Sequence, residues 1–257
     1  MATAIRRFCA SEARRAKFAE ECRGSCGSLP LGERGGNRRS KVCDIAATCG
    51  KFWDRHDAGR RLGGRLLGMS LVQPIVVALP RGGVLVAVEV SLALSTPMGI
   101  YVVRKVGFPA QPELALGAIG QDGSEYFDTA LMAKLGVRAS KLAPAVEREK
   151  AALATRVSRY GSYARMPDAA KRTVIIVDDG VATGATLRVA ISAMRSQGAA
   201  RVVVAVPVGA PGALADLAHL ADEVVFLLAP GHFGSVSQWY QSFGQVSDDE
   251  VLAALGG

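Results

Sequence analysis

Beyond Cys49 the chain has no cysteine, and it carries only three histidines in all. The five cysteines (Cys9, Cys22, Cys26, Cys43 and Cys49) crowd the N-terminal stretch at irregular spacings, with no CxxC pair and no histidine among them. That pattern does not make a zinc site. No apolar signal core precedes them, so a secreted disulfide domain is not indicated. A body without thiols suits a reducing cytoplasm, which is the expected localisation. Long apolar runs are missing as well: the longest candidates, such as Val202–Val208, suit buried strands, and no membrane partner is expected. Aromatic residues make up 6% of the chain. The basic stretch lacks the aromatic interleaving that base stacking requires, so nucleic acid is not an expected partner.

The net charge of +8 is uneven. Residues 1–51 hold eleven Lys or Arg against five Asp or Glu, which leaves the body close to neutral. We therefore divide the chain into a basic, Cys-containing extension, 1–51, expected to lack order of its own, and one domain, 52–257.

Regular patterning begins near Phe52. Ala58, Leu62 and Leu66 share a helical face. Pro74–Leu79 reads as a buried strand, Pro80–Gly83 as a turn, Val84–Leu94 as a helix and Gly99–Gly107 as a strand. Phe108–Asp128, punctuated by proline and glycine, reads as an exposed loop feeding a short hairpin around "QDGS". Leu131–Tyr160 reads as helix. Strand "TVIIVD", a helix from Ala185 to about Gln197, strand "RVVVAVPV", a helix over 212–220 and strand "EVVFLLA" follow. The last segment starts irregular and ends helical. Alternating strands and helices predict an α/β fold, a doubly wound, mainly parallel sheet flanked by helices.

The informative stretch is "TVIIVDDGVATGAT", 173–186. In open parallel sheets ligands bind beyond the C-terminal ends of the strands, and Asp178 and Asp179 fall at that edge. Gly180 and Gly184 permit close backbone approach. The helix starting near Ala185 offers unpaired N–H groups and a positive dipole end, and Thr183 and Thr186 add hydroxyls. Twin carboxylates beside a phosphate cradle suit a ligand with both a diol and a phosphate, such as a ribose 5-phosphate. One carboxylate can also bind magnesium. Leu187, Ala190, Ile191 and Met194 would pack the helix on the sheet and fix the cradle. A Walker loop is excluded because no lysine follows Gly184, and G-x-G-x-x-G does not occur.

"VIIVDDGVATGAT" resembles the phosphoribosyl pyrophosphate signature of type I phosphoribosyltransferases: four apolar residues, two acids, three variable residues, then Thr-Gly-x-Thr. The resemblance implies that Asp178 and Asp179 contact the ribose hydroxyls and Mg2+, and that Ala182, Thr183, Gly184, Ala185 and Thr186 bind the 5-phosphate. "LPRGG" resembles the family's pyrophosphate loop, which implies Arg81, Gly82 and Gly83 there. "VVRK" resembles the strand before its mobile loop, which implies that Arg104 and Lys105 meet phosphate oxygens. Phe108–Gly117 is the expected lid, and Glu113 within it the expected acid–base group. The family's hood would fall mainly over 230–250. There Trp239, Tyr240 and Phe243 would stack on a flat base, with His232 and Gln238 at its edge. A structural role anchoring the terminal segment is the alternative for these aromatics.

The implied activity is transfer of a phosphoribosyl group from phosphoribosyl pyrophosphate to a nitrogen base, with release of pyrophosphate and with magnesium as cofactor. Ala182 occupies the place of an Asp found in oxopurine members, which argues against that acceptor class. A non-catalytic regulator that binds phosphoribosyl pyrophosphate or a nucleotide stays open, and so does a hydrolase using water. A homodimer is what the resemblance implies.

Overall fold

Three runs of β-branched residues make the centre of the protein, seen in a computed structural model that describes residues 50–108, 111–165 and 168–256. They are β1 (Ile75–Ala78), β6 (Thr173–Val177) and β7 (Arg201–Val208), and every residue from Val202 to Val208 is buried. The stretch 1–49, with all five cysteines, lies outside the described residues. With β2 (Met98–Ile100) and β8 (Glu223–Leu228) the three strands form a parallel sheet in the order β2-β1-β6-β7-β8. Parallel strands buried on both faces read as unbroken apolar runs rather than alternating ones. Within β6, Ile175 and Val177 face one core cluster while Val174 and Ile176 face the other. This is the expected α/β, doubly wound architecture.

Helices cover both faces. Helix α1 (Arg55–Leu66) buries Ala58, Leu62 and Leu66 completely, as their spacing predicts, and the Asp54 side chain caps it by accepting from Asp57 N–H at 2.8 Å. Helix α2 (Gly82–Leu94) follows β1. Helix α5 (Ala185–Ser196) follows β6 and packs Leu187, Ala190, Ile191 and Met194 inward. Helix α6 (Pro211–Ala218) links β7 to β8, and α7 (Asp248–Gly256) ends the chain. Among the described residues no helix is long and apolar enough to cross a membrane.

Three expectations need correction. Gly99–Gly107 is not one strand. The chain leaves the parallel sheet at Tyr101–Val102, where Gln121 exchanges hydrogen bonds with the Val102 backbone at 2.8 and 3.0 Å. It then enters a second, antiparallel sheet of β3 (Val103–Phe108), β4 (Gln111–Gly120) and β5 (Glu125–Phe127). The expected lid, Phe108–Gly117, is therefore largely strand, paired with β3 through an irregular register at Val106–Phe108. Leu131–Tyr160 is also two helices, α3 (Thr129–Lys134) and α4 (Ala139–Tyr160). Gly136, at φ +64°, turns the chain between them.

The last segment folds back on the start of the domain. Phe52 N–H donates to Trp239 O at 2.9 Å, and Gln241 N–H donates to Phe52 O at 2.8 Å. Phe52 and Tyr240 are buried together in a small cluster with Val208, packed on by Phe233, Trp239 and Phe243.

Candidate functional site

Strand β6 ends in Asp178 and Asp179, and the chain has to turn there. Asp179 N–H turns back onto Asp178 Oδ1 at 2.8 Å. Gly184, in the left-handed region at φ +78°, completes the turn and stands as the cap residue of α5, with no side chain satisfying the first amides of that helix. Those amides and the hydroxyls of Thr183 and Thr186 remain for an anion.

The loop after β1 presses on the same carboxylates. A Cβ at Gly82 would come within 1.9 Å of Asp179 Oδ2. One at Gly83 would come within 2.9 Å of the Asp178 Cα. Only glycine backbone fits so closely, so the two loops form one surface. The Pro80–Arg81 peptide is cis.

Around this junction lies a cavity of about 610 Å3. The residues predicted from sequence that line it are Arg81, Gly82, Arg104, Lys105, Asp178, Asp179, Gly180, Ala182, Thr183, Gly184 and Thr186, with Phe243 from the terminal segment. Gly83 and Ala185 are buried just behind it, at the starts of α2 and α5. Glu113 falls within β4, in the irregular stretch that pairs with Gly107 and Phe108, and both of those line the cavity.

The hood aromatics are placed differently from one another. Tyr240 is 4% exposed and stands between Phe52 and Phe243, with ring centroids 5.3 and 4.9 Å away. Its hydroxyl donates to the Asp179 carbonyl at 2.6 Å, and burial followed by the nearby Asp179 charge raises its pKa above the ordinary tyrosine value. Trp239 packs on the same cluster, and its indole N–H is buried without a partner among the described residues. Neither ring lines the cavity, whereas Phe243 does. His232 and Gln238 are exposed and lie outside its lining.

Sequence reasoning missed four polar residues. Arg55, at the start of α1, is 8% exposed and donates to Asp179 Oδ2 at 2.8 Å and to Gly244 O at 2.9 Å. Helix α4 adds Arg148, Glu149 and Arg156 to the cavity wall. Glu149 holds Arg104, its Oε2 lying 2.7 Å from both Nε and Nη2. An arginine opening a helix, or "EREK" within one, looks like an ordinary solvated face. Only the distant elements β6 and β3 give Arg55 and Glu149 their partners.

The electrostatics follow from this list. Six cationic side chains (Arg55, Arg81, Arg104, Lys105, Arg148 and Arg156) share the cavity with three carboxylates, Glu149, Asp178 and Asp179. Such an excess suits a polyanion. Burial, and then the adjacent Asp179 carboxylate, hold the Asp178 carboxyl well above the usual carboxylate range. Among the described residues no three His, Cys, Asp or Glu side chains cluster to hold a metal unaided. The twin acids still fit magnesium, which takes one or two carboxylates and fills its remaining positions with water and substrate phosphate. The hydrogen bonds above use Asp178 Oδ1 and Asp179 Oδ2, leaving one oxygen of each acid for a ligand.

Comparison with known proteins agrees with this geometry. A profile of the phosphoribosyl transferase domain matches residues 65–227. Two Mycobacterium tuberculosis proteins, from strains CDC 1551 / Oshkosh and H37Rv, carry provisional phosphoribosyl transferase names. Each is 43% identical to this chain over 204 residues, covering 79% of this chain and 46% of its own length. The chain thus spans about half the length of these curated relatives. The crystal structure of TT1426 from Thermus thermophilus superposes with a TM-score of 0.68 at 40% identity, covering 80% of this chain and 98% of that one. The chain belongs to the phosphoribosyl transferase family.

Proposed function

We propose that the protein binds phosphoribosyl pyrophosphate with magnesium and transfers the phosphoribosyl group to a nitrogen base, releasing pyrophosphate. The observation that carries this reading is the union, in one cavity, of twin carboxylates, an amide-rich turn at the start of α5 and an excess of arginine and lysine. Asp178 and Asp179 accept from the ribose hydroxyls. The turn at 182–186 holds the 5-phosphate. Arg81 with Gly82 and Gly83, and Arg104 with Lys105, hold the pyrophosphate.

The base nitrogen attacks C1 of the ribose as the C1–oxygen bond breaks. Pyrophosphate leaves with the electron pair of that bond, and the nitrogen proton passes to a base. Charge develops on the sugar and on the leaving group, so catalysis is positioning and charge stabilisation. Magnesium held at Asp178 and Asp179 would neutralise the departing oxygens. We assign the proton to Glu113, in the irregularly paired first half of β4. Phe243, with its face toward Arg55, forms the acceptor wall together with Val236, and Trp239 and Tyr240 support that wall from behind.

The test is incubation with phosphoribosyl pyrophosphate, magnesium and a panel of bases, with released pyrophosphate measured. Base-dependent release supports transfer. Base-independent release indicates a hydrolase, and binding without release a regulator. Failure of the wild type to bind phosphoribosyl pyrophosphate, or unchanged affinity after joint replacement of Asp178 and Asp179 by asparagine, rejects the reading.

A further inference from the structure

Helix α4 brings charge to the cavity that the twin carboxylates and the turn after β6 do not account for. Ala145, Arg148, Glu149 and Arg156 all line it. Offsets of three, four and eleven residues set them on one helical stripe. The intervening position on that stripe is Ala152, whose short side chain leaves room between the two arginines.

The two arginines are not spent elsewhere. Arg148 is exposed and has no ion pair or hydrogen bond among the described residues. Arg156 reaches Asp248 only at 3.5 Å, while the Tyr160 hydroxyl takes the closer place on that carboxylate, at 2.6 Å. Glu149, on the same stripe, holds Arg104 through contacts of 2.7 Å to both Nε and Nη2, so the stripe is tied to β3 at a residue assigned above to the pyrophosphate. Arg81 belongs to the loop after β1, whereas the anion cradle at 182–186 belongs to the loop after β6. A stripe tied to Arg104, and sharing the cavity with Arg81, therefore extends the half of the site that the functional reading gives to the pyrophosphate rather than the 5-phosphate cradle.

Resting on the functional reading above, we propose that α4 is part of the diphosphate half-site. Arg148 and Arg156, together with Arg81, bind the leaving diphosphate of phosphoribosyl pyrophosphate and make no contact with its 5-phosphate. The fork geometry of guanidinium matches a diphosphate, which offers paired oxygens on two adjacent phosphorus atoms.

The experiment is calorimetric titration of the full chain, with magnesium, by inorganic diphosphate, phosphoribosyl pyrophosphate and ribose 5-phosphate. Arg148→Ala and Arg156→Gln are each expected to weaken diphosphate and phosphoribosyl pyrophosphate roughly tenfold or more, the scale of one lost charge-assisted hydrogen bond. Ribose 5-phosphate affinity should stay at the wild-type value. Arg148→Lys should recover part of the loss, because it keeps the charge without the fork. Arg159→Ala, on the same helix but paired with Asp249 outside the cavity, should change none of the three. Because Arg148 is exposed, its removal leaves the fold intact even if loss of Arg156 does not. Wild-type diphosphate affinity in Arg148→Ala, or an equal loss for ribose 5-phosphate, overturns the proposal while leaving the functional reading standing. A wild type that binds neither sugar phosphate rejects both.

Discussion

Arg55 donates through Nε to Asp179 Oδ2 at 2.8 Å while its guanidinium carbon lies 3.8 Å from the centroid of the Phe243 ring. One side chain therefore joins the carboxylate end of β6 to the terminal segment, which its Nη1 also grips at Gly244 O, 2.9 Å away. The contact explains why the last residues of the domain wrap over the site. It also sets a cation against one of the two adjacent acids.

Removing that cation should be costly. Arg55→Ala would leave Asp179, only 17% exposed at its side chain, without its counter-charge, and would strip the cover from Phe243. We expect a stability loss of about 2–3 kcal/mol, between the values for a partly exposed and a buried pair. Denaturant unfolding measures it. Arg55→Lys should recover less than half, because the ammonium cannot both reach Asp179 and lie over the ring. A loss within the error of the unfolding experiment would show that the pair is not a structural tie.

Asp178 should make the stability of the ligand-free protein depend on pH. Its folded-state value is raised above 3.8, so the folded protein binds the proton more tightly than the unfolded chain does. The stabilisation is thus fully present below that ordinary value and is lost as pH rises through the raised one. His56, raised by its hydrogen bond to Glu89, works in the same direction, so the total slope does not isolate Asp178. The discriminating measurement is the melting temperature of wild type and Asp178→Asn at about pH 5 and about pH 9. The variant should gain on the wild type at the higher pH. Equal pH dependence in the two proteins would place the shift elsewhere.

Two glycines should respond in opposite ways to the same substitution. Gly82→Ala places a Cβ 1.9 Å from Asp179 Oδ2 and 2.8 Å from Arg55 Nε, so the carboxylate or the loop must move. The protein should lose ~2 kcal/mol or more of stability together with phosphoribosyl pyrophosphate affinity. Gly64→Ala, in α1 with open space around the new methyl, should stabilise by ~0.5–1 kcal/mol through helix propensity alone. Chemical denaturation of both variants checks the pair of signs.

The parallel sheet and the phosphate cradle were legible because their signals are local. Val174–Val177 runs straight into Asp178, and the turn residues follow within one short stretch. The second sheet was not legible. Nothing in "GIYVVRKVG" marks the point where the chain changes partner, because that point is fixed by Gln121, nineteen residues beyond Val102. Glycine and proline in "FPAQPELALGAIG" suggested a loop, but pairing with β3 overrides local propensity. The same reason hid Arg55, whose bond to Asp179 spans 124 positions. For Tyr240 the sequence leaves stacking on a base and anchoring of the terminal segment both open; the tertiary structure buries it and gives its hydroxyl to the Asp179 carbonyl. Its neighbour Phe243 faces the cavity instead.

Glu149 offers the last prediction. It occupies Arg104, a residue assigned to the pyrophosphate, through contacts of 2.7 Å to both Nε and Nη2. A diphosphate that takes Arg104 must therefore displace a carboxylate and tolerate its charge nearby. Both partners are about one quarter to one third exposed, so the pair itself contributes little stability, ~1 kcal/mol or less. Glu149→Gln keeps the shape of the side chain and removes the competing charge. Diphosphate should then bind several-fold more tightly, with a melting temperature close to that of the wild type. The gain should shrink as salt is raised, since part of it is screened repulsion. Weaker binding in Glu149→Gln would mean that the carboxylate holds Arg104 in its productive orientation, and that the bound state keeps the pair rather than breaking it.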